Sequence, residues 1–332
     1  MSSGTRFAAP SITIDHALDG SATRTLAEDA LDGLTQPLKQ LAPKHFYDSR
    51  GAALFDEICE LPEYYPTRTE RAILEQEADR IIASSGAGEL VELGSGSATK
   101  TRLLLDAMSR AGLLARYVPV DVHEASVRAS AEQLVSEYPG LAVHGLIGDF
   151  ERHLDRLPPP GARRLVAFLG GTVGNFRPGS RRRFLRTIVA LLRPADRLLL
   201  GTDLVKDRAT LIAAYDDAAG VTAEFNRNML RVLNRELGAD FDPDCFEHLA
   251  LYDERNDWIE MRLRARKPQT VRLPGIDLTI EFAQGEDLLT EISAKLTRAR
   301  LEADLSAAGL ALTDWYTDER GWFALSLART IR

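Results

Sequence analysis

Short apolar runs alternate with amphipathic stretches through the middle of the chain. The amphipathic stretches have the spacing of helices, and turn-forming residues flank the apolar runs. Strands that alternate with helices in this way form parallel βαβ units. The pattern therefore predicts a doubly wound α/β sheet with helices on both faces. The predicted strands are residues 89–93, 117–120, 141–147, 165–169 and 197–201.

The pattern changes after residue 205. Apolar and charged residues alternate strictly over 259–265, which predicts a strand with one buried face. Residues 278–282 alternate in the same way after a Pro-Gly turn, and we expect these two strands to pair as an antiparallel hairpin. Residues 311–317 and 322–328 predict a further antiparallel hairpin at the C-terminus.

The N-terminal region has a weaker pattern. Residues 1–19 are polar and mixed, and we expect a loose arm. Helical spacing is plausible over 16–39, and after an aromatic segment Thr67 and Glu70 predict a capping box that begins a further helix. These patterns indicate two domains. A sheet domain is predicted over residues 69–204 and 296–332, and an inserted α+β domain over residues 20–68 and 205–295.

Composition excludes several classes of protein. The 332 residues are 45% apolar and 27% charged, which is typical of globular proteins. The longest apolar stretch is far shorter than a membrane span, and the N-terminus has no signal-peptide pattern. We therefore expect a cytoplasmic protein without membrane contact, and we expect a monomer.

Charge and ligand spacing argue against two further kinds of site. A net charge of −8 without basic runs argues against nucleic-acid binding. We expect Arg181, Arg182 and Arg183 to lie on a solvated helix face. The six histidines and two cysteines lack the spacing of a metal site, so we expect no metal.

A glycine-rich turn follows the first strand of the predicted sheet. Gly94 permits a tight turn, and Gly96 lets a ligand approach the backbone. Asp121 follows the second strand, and Asp149 with Phe150 follows the third. An acid at these places suits a ribose and an adenine amino group, and ligands of open α/β sheets bind at the carboxyl ends of the strands. The sequence thus predicts a nucleoside-containing cofactor at this edge.

NAD and S-adenosylmethionine both fit an acid that binds ribose. Thr99 stands where the dinucleotide fingerprint has its third glycine, which makes room for a pyrophosphate. The C-terminal hairpin is also typical of methyltransferase sheets. Both features favour S-adenosylmethionine, and we expect Lys100 to pair with its carboxylate.

Six segments resemble the L-histidine Nα-methyltransferases of ergothioneine biosynthesis, a family of histidine-specific, S-adenosylmethionine-dependent enzymes. The segments are ELGSGSATKTRLLLDAM, FYDSRGAALFDEICELPEYYPTRTE, FLGGTVGNF, GTDLVKD, AYDDAAGVTAEFNRN and LLTEISAKL. The resemblance runs from about residue 28 to the C-terminus. It implies a Rossmann-like class I methyltransferase sheet with the C-terminal antiparallel hairpin, an inserted α+β domain that binds histidine, and S-adenosylmethionine as the cofactor.

The resemblance also implies a role for each residue that matches the family. The positions that match contacts to S-adenosylmethionine are Gly94, Lys100, Asp121, Asp149 and Phe150. Those that match contacts to the amino acid are Tyr64, Asn175 and Tyr215 at its carboxylate and amine, Glu291, Ile292 and Ser293 at its imidazole, Tyr47 as a further aromatic contact, and Met261 as a pocket wall. Without the resemblance, Glu291 would be interpreted as an exposed helix residue.

The reaction implied is trimethylation of the α-amino group of L-histidine to hercynine, through the mono- and dimethyl forms. We identify no general base, and we expect Tyr47 and Asn175 to position the substrate. Three alternatives stay open. They are Nα-methylation of another aromatic amino acid such as tryptophan, a sensor that binds S-adenosylmethionine without catalysis, and a nicotinamide oxidoreductase.

Overall fold

The computed structural model describes residues 11–18, 22–96 and 98–331. This part of the chain forms an eight-stranded sheet, a four-stranded sheet and a separate two-stranded hairpin. The strands are β1 (Ser11–His16), β2 (Lys39–Gln40), β3 (Glu89–Leu93), β4 (Arg116–Asp121), β5 (Ala142–Ile147), β6 (Arg164–Phe168), β7 (Arg197–Asp203), β8 (Phe246–Asp253), β9 (Trp258–Ala265), β10 (Gln269–Leu273), β11 (Leu278–Phe282), β12 (Asp287–Ala294), β13 (Leu310–Thr317) and β14 (Phe323–Thr330). The helices are α1 (Ala22–Leu34), α2 (Ser49–Glu60), α3 (Tyr65–Ser85), α4 (Thr101–Arg110), α5 (Glu124–Glu137), α6 (Pro178–Leu191), α7 (Arg208–Ala213), α8 (Val221–Leu237) and α9 (Arg298–Ala308).

The larger sheet has the strand order β1-β5-β4-β3-β6-β7-β14-β13. Neighbouring strands are parallel from β1 to β7, and β14 runs antiparallel to both β7 and β13. Side chains of α6 and α9 pack against one face, and those of α3, α4 and α5 against the other. Every residue of β3 is therefore buried. The predicted α/β sheet and its C-terminal hairpin are confirmed.

The smaller sheet has the order β2-β12-β9-β8, with β12 and β8 antiparallel to β9. The predicted pairing of the strand over 259–265 with that over 278–282 is wrong, because β11 pairs with β10 instead. Strict alternation shows which face of a strand is buried, but it does not identify the partner strand. In the turn between β8 and β9, the Asp253 carboxylate accepts a hydrogen bond from the backbone N–H of Arg255 at 2.9 Å.

The expected loose arm is wrong for the residues that the structure describes within it. Residues of β1 pair in parallel register with β5 at the edge of the larger sheet. Most positions of β1 are exposed, so backbone hydrogen bonds hold the strand, and the alternation of Ile12, Thr13 and Ile14 is too short to predict it. The helix expected over 16–39 is shorter and corresponds to α1. Residues 1–10 and 19–21 of these predictions lie outside the described residues.

Two predictions about charged side chains are also wrong. Helix α3 begins at Tyr65 instead of following a cap at Thr67, and Glu70 is fully buried in its second turn. Arg181 is buried and forms an ion pair with Asp304 at 2.7 Å, so α6 does not present all three arginines to solvent. Spacing along a helix shows which residues share a face, but not that a neighbouring helix supplies a buried acid.

The smaller sheet has its own hydrophobic core. Side chains from residues 26–65 and 211–288 build this core, among them Phe46, Phe225 and Leu263. The last residues of β12 pack instead with the core of the larger sheet, so the two sheets are in contact. The predicted domain boundaries stay a prediction.

Within the described ranges, no helix combines the length and the apolar character needed to cross a bilayer.

Candidate active site

A cavity of about 1080 Å³ lies between the carboxyl edge of the larger sheet and the wall of the smaller sheet. This volume is at the upper end of the range for small-molecule sites, which leaves room for two ligands. The cavity is lined by all thirteen residues to which the resemblance assigns a role. These are Tyr47, Tyr64, Gly94, Lys100, Asp121, Asp149, Phe150, Asn175, Tyr215, Met261, Glu291, Ile292 and Ser293.

One end of the cavity, here called the glycine-turn end, consists of Gly94 to Gly96 with Asp121, Asp149 and Phe150. Gly94 and Gly96 have φ of +71° and +48°, a conformation that favours glycine. The backbone N–H of Gly96 donates to the Asp121 carboxylate at 2.9 Å, so the turn fixes that side chain at the cavity edge. A Cβ at residue 94 would stand 3.7 Å from the Phe150 ring and would fill the space between turn and ring.

Asp149 links the glycine-turn end to the N-terminal segment. Its carboxylate accepts from the backbone N–H of Glu151 at 2.8 Å and from the Lys44 ammonium at 3.1 Å. Lys44 also pairs with Asp29 at 2.9 Å. Burial opposes the charge on Lys44, but Asp149 and Asp29 outweigh it and raise the Lys44 pKa. Lys44, which follows α1 in the chain, thus holds the Asp149 carboxylate in place.

Lys100 lines the cavity, but its ammonium already has a partner. It forms a close ion pair with Glu70, which is fully buried. The same Glu70 carboxylate accepts from the backbone N–H of Gly170 at 2.8 Å, in the loop after β6. Glu70 therefore anchors both Lys100 and the loop after β6, a role that the expected helix cap did not anticipate.

The opposite end, here called the tyrosine end, consists of Tyr47, Tyr64, Tyr215, Glu291 and Ser293. The rings of Tyr64 and Tyr215 lie 6.3 Å apart, edge to face. Burial raises the pKa of all three phenols, so each hydroxyl remains protonated at neutral pH. These hydroxyls can donate hydrogen bonds to a ligand.

Asn175 joins the two ends because it follows β6 yet lies beside β12. It ends a short 3₁₀ turn in which Gly174 packs directly on Ala294. A Cβ at residue 174 would come within 2.8 Å of the Ala294 carbonyl oxygen, so this close approach requires glycine.

Glu291 lies in β12 and not in an exposed helix. A β-bulge between Leu289 and Glu291 shifts the register against β9, and bulges of this kind redirect the side chains that follow them. The Glu291 side chain is half-buried at the cavity wall. Burial raises the pKa of Glu291 to about 7, against the opposing effect of the Lys295 charge. Over the described part of the chain, no hydrogen bond or ion pair satisfies this carboxylate.

Two charged residues that the sequence analysis did not identify adjoin the tyrosine end: Asp203 lines the cavity, and Lys295 lies behind the lining residues. The Lys295 ammonium donates to the hydroxyl oxygens of Tyr215 and Ser293 at 2.9 and 2.8 Å. It also pairs with Asp203 at 2.8 Å. The sequence contained a signal for both residues. Lys295 lies two residues beyond Ser293, on the strand face that Glu291 and Ser293 share, and Asp203 ends a strand as Asp121 does.

Comparison with known proteins gives a consistent family. The family described as histidine-specific methyltransferase, SAM-dependent, matches residues 26–330. The histidine N-alpha-methyltransferase of Mycolicibacterium smegmatis is 54% identical over 308 residues, which cover 93% of this chain and 96% of that protein. The protein of that name from Mycobacterium tuberculosis is 49% identical over 95% of this chain and 98% of its own.

A more distant relative is a much larger protein. Ergothioneine biosynthesis protein 1 of Schizosaccharomyces pombe is 34% identical over 254 residues, which cover 72% of this chain and 33% of that protein. The family match spans nearly the whole chain, and the two bacterial relatives are matched over almost their full length. The chain therefore belongs to the histidine-specific, S-adenosylmethionine-dependent methyltransferases and is an enzyme of that family.

Proposed function

We propose that the protein transfers three methyl groups from S-adenosylmethionine to the α-amino nitrogen of L-histidine, giving hercynine in the first step of ergothioneine biosynthesis. The observation that carries this proposal is the Glu291 carboxylate, which faces the cavity without a protein partner in the described ranges. A buried carboxylate forms a strong, charge-assisted bond with a ligand N–H, and an imidazole offers one.

The glycine-turn end suits the cofactor. We assign Asp121 to the ribose hydroxyls, Asp149 to the adenine amino group and Phe150 to the face of the adenine ring. Gly94 leaves the space above that ring open, and Lys100 pairs with the cofactor's carboxylate. When bound, S-adenosylmethionine supplies a methyl group on a positively charged sulfur.

The tyrosine end suits the amino acid. In this proposal Tyr64, Asn175 and Tyr215 hold the carboxylate and the amine, and Tyr47 and Met261 contact the substrate as walls of the pocket. Glu291 and Ser293 bind the imidazole, with Ile292 between them. The sheet domain over 69–204 and 296–332 then binds the cofactor, and the domain over 20–68 and 205–295 binds histidine.

The substrate amine must be neutral to accept a methyl group. A nearby carboxylate favours the ammonium form, and phenol hydroxyls of Tyr64 and Tyr215 that donate to the substrate carboxylate weaken that effect. The amine pKa therefore falls on binding. Methyl transfer then depends mainly on the distance and alignment of the reacting atoms, which Tyr47 and Asn175 control, and we assign no general base.

Each of the first two transfers leaves an ammonium, which must lose its proton to water before the next transfer. The reaction ends by itself after the third transfer, because a quaternary nitrogen has no lone pair and no proton to lose. The product carries a permanent positive charge. Tyr47, Tyr64 and Phe176 all line the cavity, and the faces of aromatic rings attract such cations. The rings thus accommodate each methylated form in turn.

Mass spectrometry of the purified protein with L-histidine and S-adenosylmethionine tests this function. We expect the trimethylated product to accumulate together with S-adenosylhomocysteine, while tryptophan in place of histidine gives little product. Accumulation of the monomethyl form alone would contradict trimethylation. Equal turnover of tryptophan would favour the alternative substrate, and cofactor binding without any S-adenosylhomocysteine would favour the sensor.

A further inference from the structure

Three charged side chains lie together in the interior where β7 and β12 end. The side chains of Lys295, Lys206 and Asp203 are 0%, 4% and 4% exposed. Both lysines pair with the single carboxylate of Asp203. Apolar side chains of similar volume stabilise a protein interior as well as buried ions do. Packing alone therefore does not account for this cluster, which we call the Asp203 cluster.

Each lysine pairs with Asp203 and with one tyrosine, although Tyr65 itself also donates to Asp203, at 2.8 Å, and Tyr215 does not. The Lys295 ammonium donates to the Tyr215 hydroxyl at 2.9 Å and lies 4.6 Å from the centre of its ring. The Lys206 ammonium donates to the Tyr65 hydroxyl at 2.8 Å and lies 4.4 Å from the centre of that ring. A second difference is the position of the tyrosine, because Tyr215 lines the cavity and Tyr65 does not.

The hydrogen bonds of Lys295 use all of its protons. An ammonium has three donors and no acceptor. Its three partners are the Asp203 carboxylate at 2.8 Å, the Tyr215 hydroxyl at 2.9 Å and the Ser293 hydroxyl at 2.8 Å. Both hydroxyl oxygens therefore accept from Lys295.

The Tyr215 and Ser293 hydroxyls also bond to each other, with their oxygens 2.8 Å apart. One of the two must donate in that bond, so a single hydroxyl proton remains for a ligand in the cavity. Burial raises the pKa of Tyr215, which keeps the phenol protonated, and the Asp203 carboxylate raises the pKa of Lys295 against the effect of its burial. At neutral pH, Lys295 is therefore an ammonium and Tyr215 a protonated phenol, so the number of protons in this group is fixed.

We propose that Lys295, anchored by Asp203, is a positioning residue that makes Tyr215 and Ser293 a single unit with one proton directed at the amino-acid substrate. The inference rests on the proposed function of the tyrosine end. Lys295 is fully buried behind the cavity wall and is not one of the residues that line it. Its two hydroxyl bonds occupy one lone pair on each oxygen and so limit how the two hydroxyls can turn, and an oxygen that accepts from an ammonium is a stronger donor.

The matched variants Lys295→Met and Lys206→Met test this role. Each removes one buried ammonium and leaves Asp203 with the other, so neither leaves the carboxylate unpaired. We expect Lys295→Met to raise the KM for histidine about tenfold, the usual effect of losing a well-oriented hydrogen bond. Lys206→Met should leave this KM within about twofold, because Tyr65 is outside the cavity. Both variants should bind S-adenosylmethionine as the wild type does, by calorimetry.

A double substitution separates positioning from general stabilisation. If Lys295 acts through the hydroxyl pair, Ser293→Ala should raise the KM less in the Lys295→Met protein than in the wild type. Equal, additive effects would overturn the inference. Lys295→Gln retains N–H donors and should raise the KM less than Lys295→Met. If Lys295→Met does not bind cofactor, the pair Lys295→Gln and Lys206→Gln gives the same comparison.

The outcomes for the two proposals are distinct. A wild type that methylates histidine, with Lys295→Met and Lys206→Met indistinguishable in KM, would overturn the positioning role and leave the function intact. A wild type that binds cofactor but does not methylate histidine would overturn the function itself.

Discussion

The glycine-turn end and the tyrosine end of the cavity are built in different ways. At the glycine-turn end, a backbone N–H holds each acid, that of Gly96 for Asp121 and that of Glu151 for Asp149, although Lys44 also pairs with Asp149. The residues that define this end all lie within 94–150. At the tyrosine end, side chains from residues 47 to 293 meet, and the buried Lys295 ammonium donates to two of them, Tyr215 and Ser293. A backbone turn follows from a local sequence, whereas a side-chain assembly depends on the complete fold.

Two glutamates sharpen this contrast. Burial raises the pKa of both Glu92 and Glu291 to about 7. Glu92, behind the glycine turn, accepts from the hydroxyls of Thr101 and Tyr117, each at 2.6 Å. Glu291 has no such partner among the described residues. The same perturbed pKa therefore accompanies a satisfied structural acid at one end and an acid available to a ligand at the other.

The largest expected effect is that of Glu291→Ala on histidine binding. Loss of a hydrogen bond to a charged group costs about 1.5–3 kcal/mol, so the KM for histidine should rise about 10- to 100-fold. Calorimetry with S-adenosylmethionine should give an unchanged Kd, because the cofactor lies at the other end. Glu281→Ala, an exposed acid of β11, is the control and should behave as the wild type. Unchanged histidine turnover in Glu291→Ala would show that Glu291 does not bind the substrate.

A smaller effect, on cofactor binding instead of histidine binding, is expected for Asp121→Asn. The amide keeps one acceptor oxygen but loses the charge, so the Kd for S-adenosylmethionine should rise about tenfold. The KM for histidine at saturating cofactor should change little. Asp79→Asn, which alters an exposed ion pair with Arg110, controls for the change of charge. If Asp121→Asn weakened the binding of histidine and of the cofactor equally, the two ends of the cavity would not act independently.

The smallest expected effect is on stability. A carboxyl whose pKa rises from 4.5 to about 7 on folding makes the free energy of unfolding fall as pH increases between those values. Glu291→Gln removes this cost, which by linkage is about 3 kcal/mol for a carboxyl isolated from water. Because the Glu291 side chain is only half-buried, solvent screens its charge, and we expect the variant to be the more stable protein at pH 8 by about 1 kcal/mol, or ~1–3 °C in Tm. Below about pH 4 the Glu291 carboxyl of the wild type is protonated in both the folded and the unfolded state, and the advantage of the variant should vanish.

Thermal unfolding over pH 4–8 measures this difference. A constant Tm difference across that range would contradict the assigned pKa of Glu291. A Glu291→Gln protein less stable than the wild type at pH 8 would mean that the carboxylate has a stabilising partner in the folded protein.

Local pattern was enough to predict the parallel strands, the glycine turn and the acids at the strand ends. The same reasoning missed β1, because only Ile12 and Ile14 alternate with polar residues in this exposed edge strand. It missed Glu70 and Lys295, because a buried charge is recognised by its partners, and those partners are distant in sequence. The residues at the tyrosine end were identified only through the family resemblance, since no single spacing connects Tyr64, Tyr215 and Glu291.

The most direct test is a crystal structure of the protein with L-histidine and S-adenosylhomocysteine. The account predicts an imidazole nitrogen within about 3 Å of the Glu291 carboxylate, with the α-amine directed toward the sulfur of the cofactor product. A histidine bound with its imidazole away from β12, or a Glu291 side chain turned out of the cavity, would contradict it.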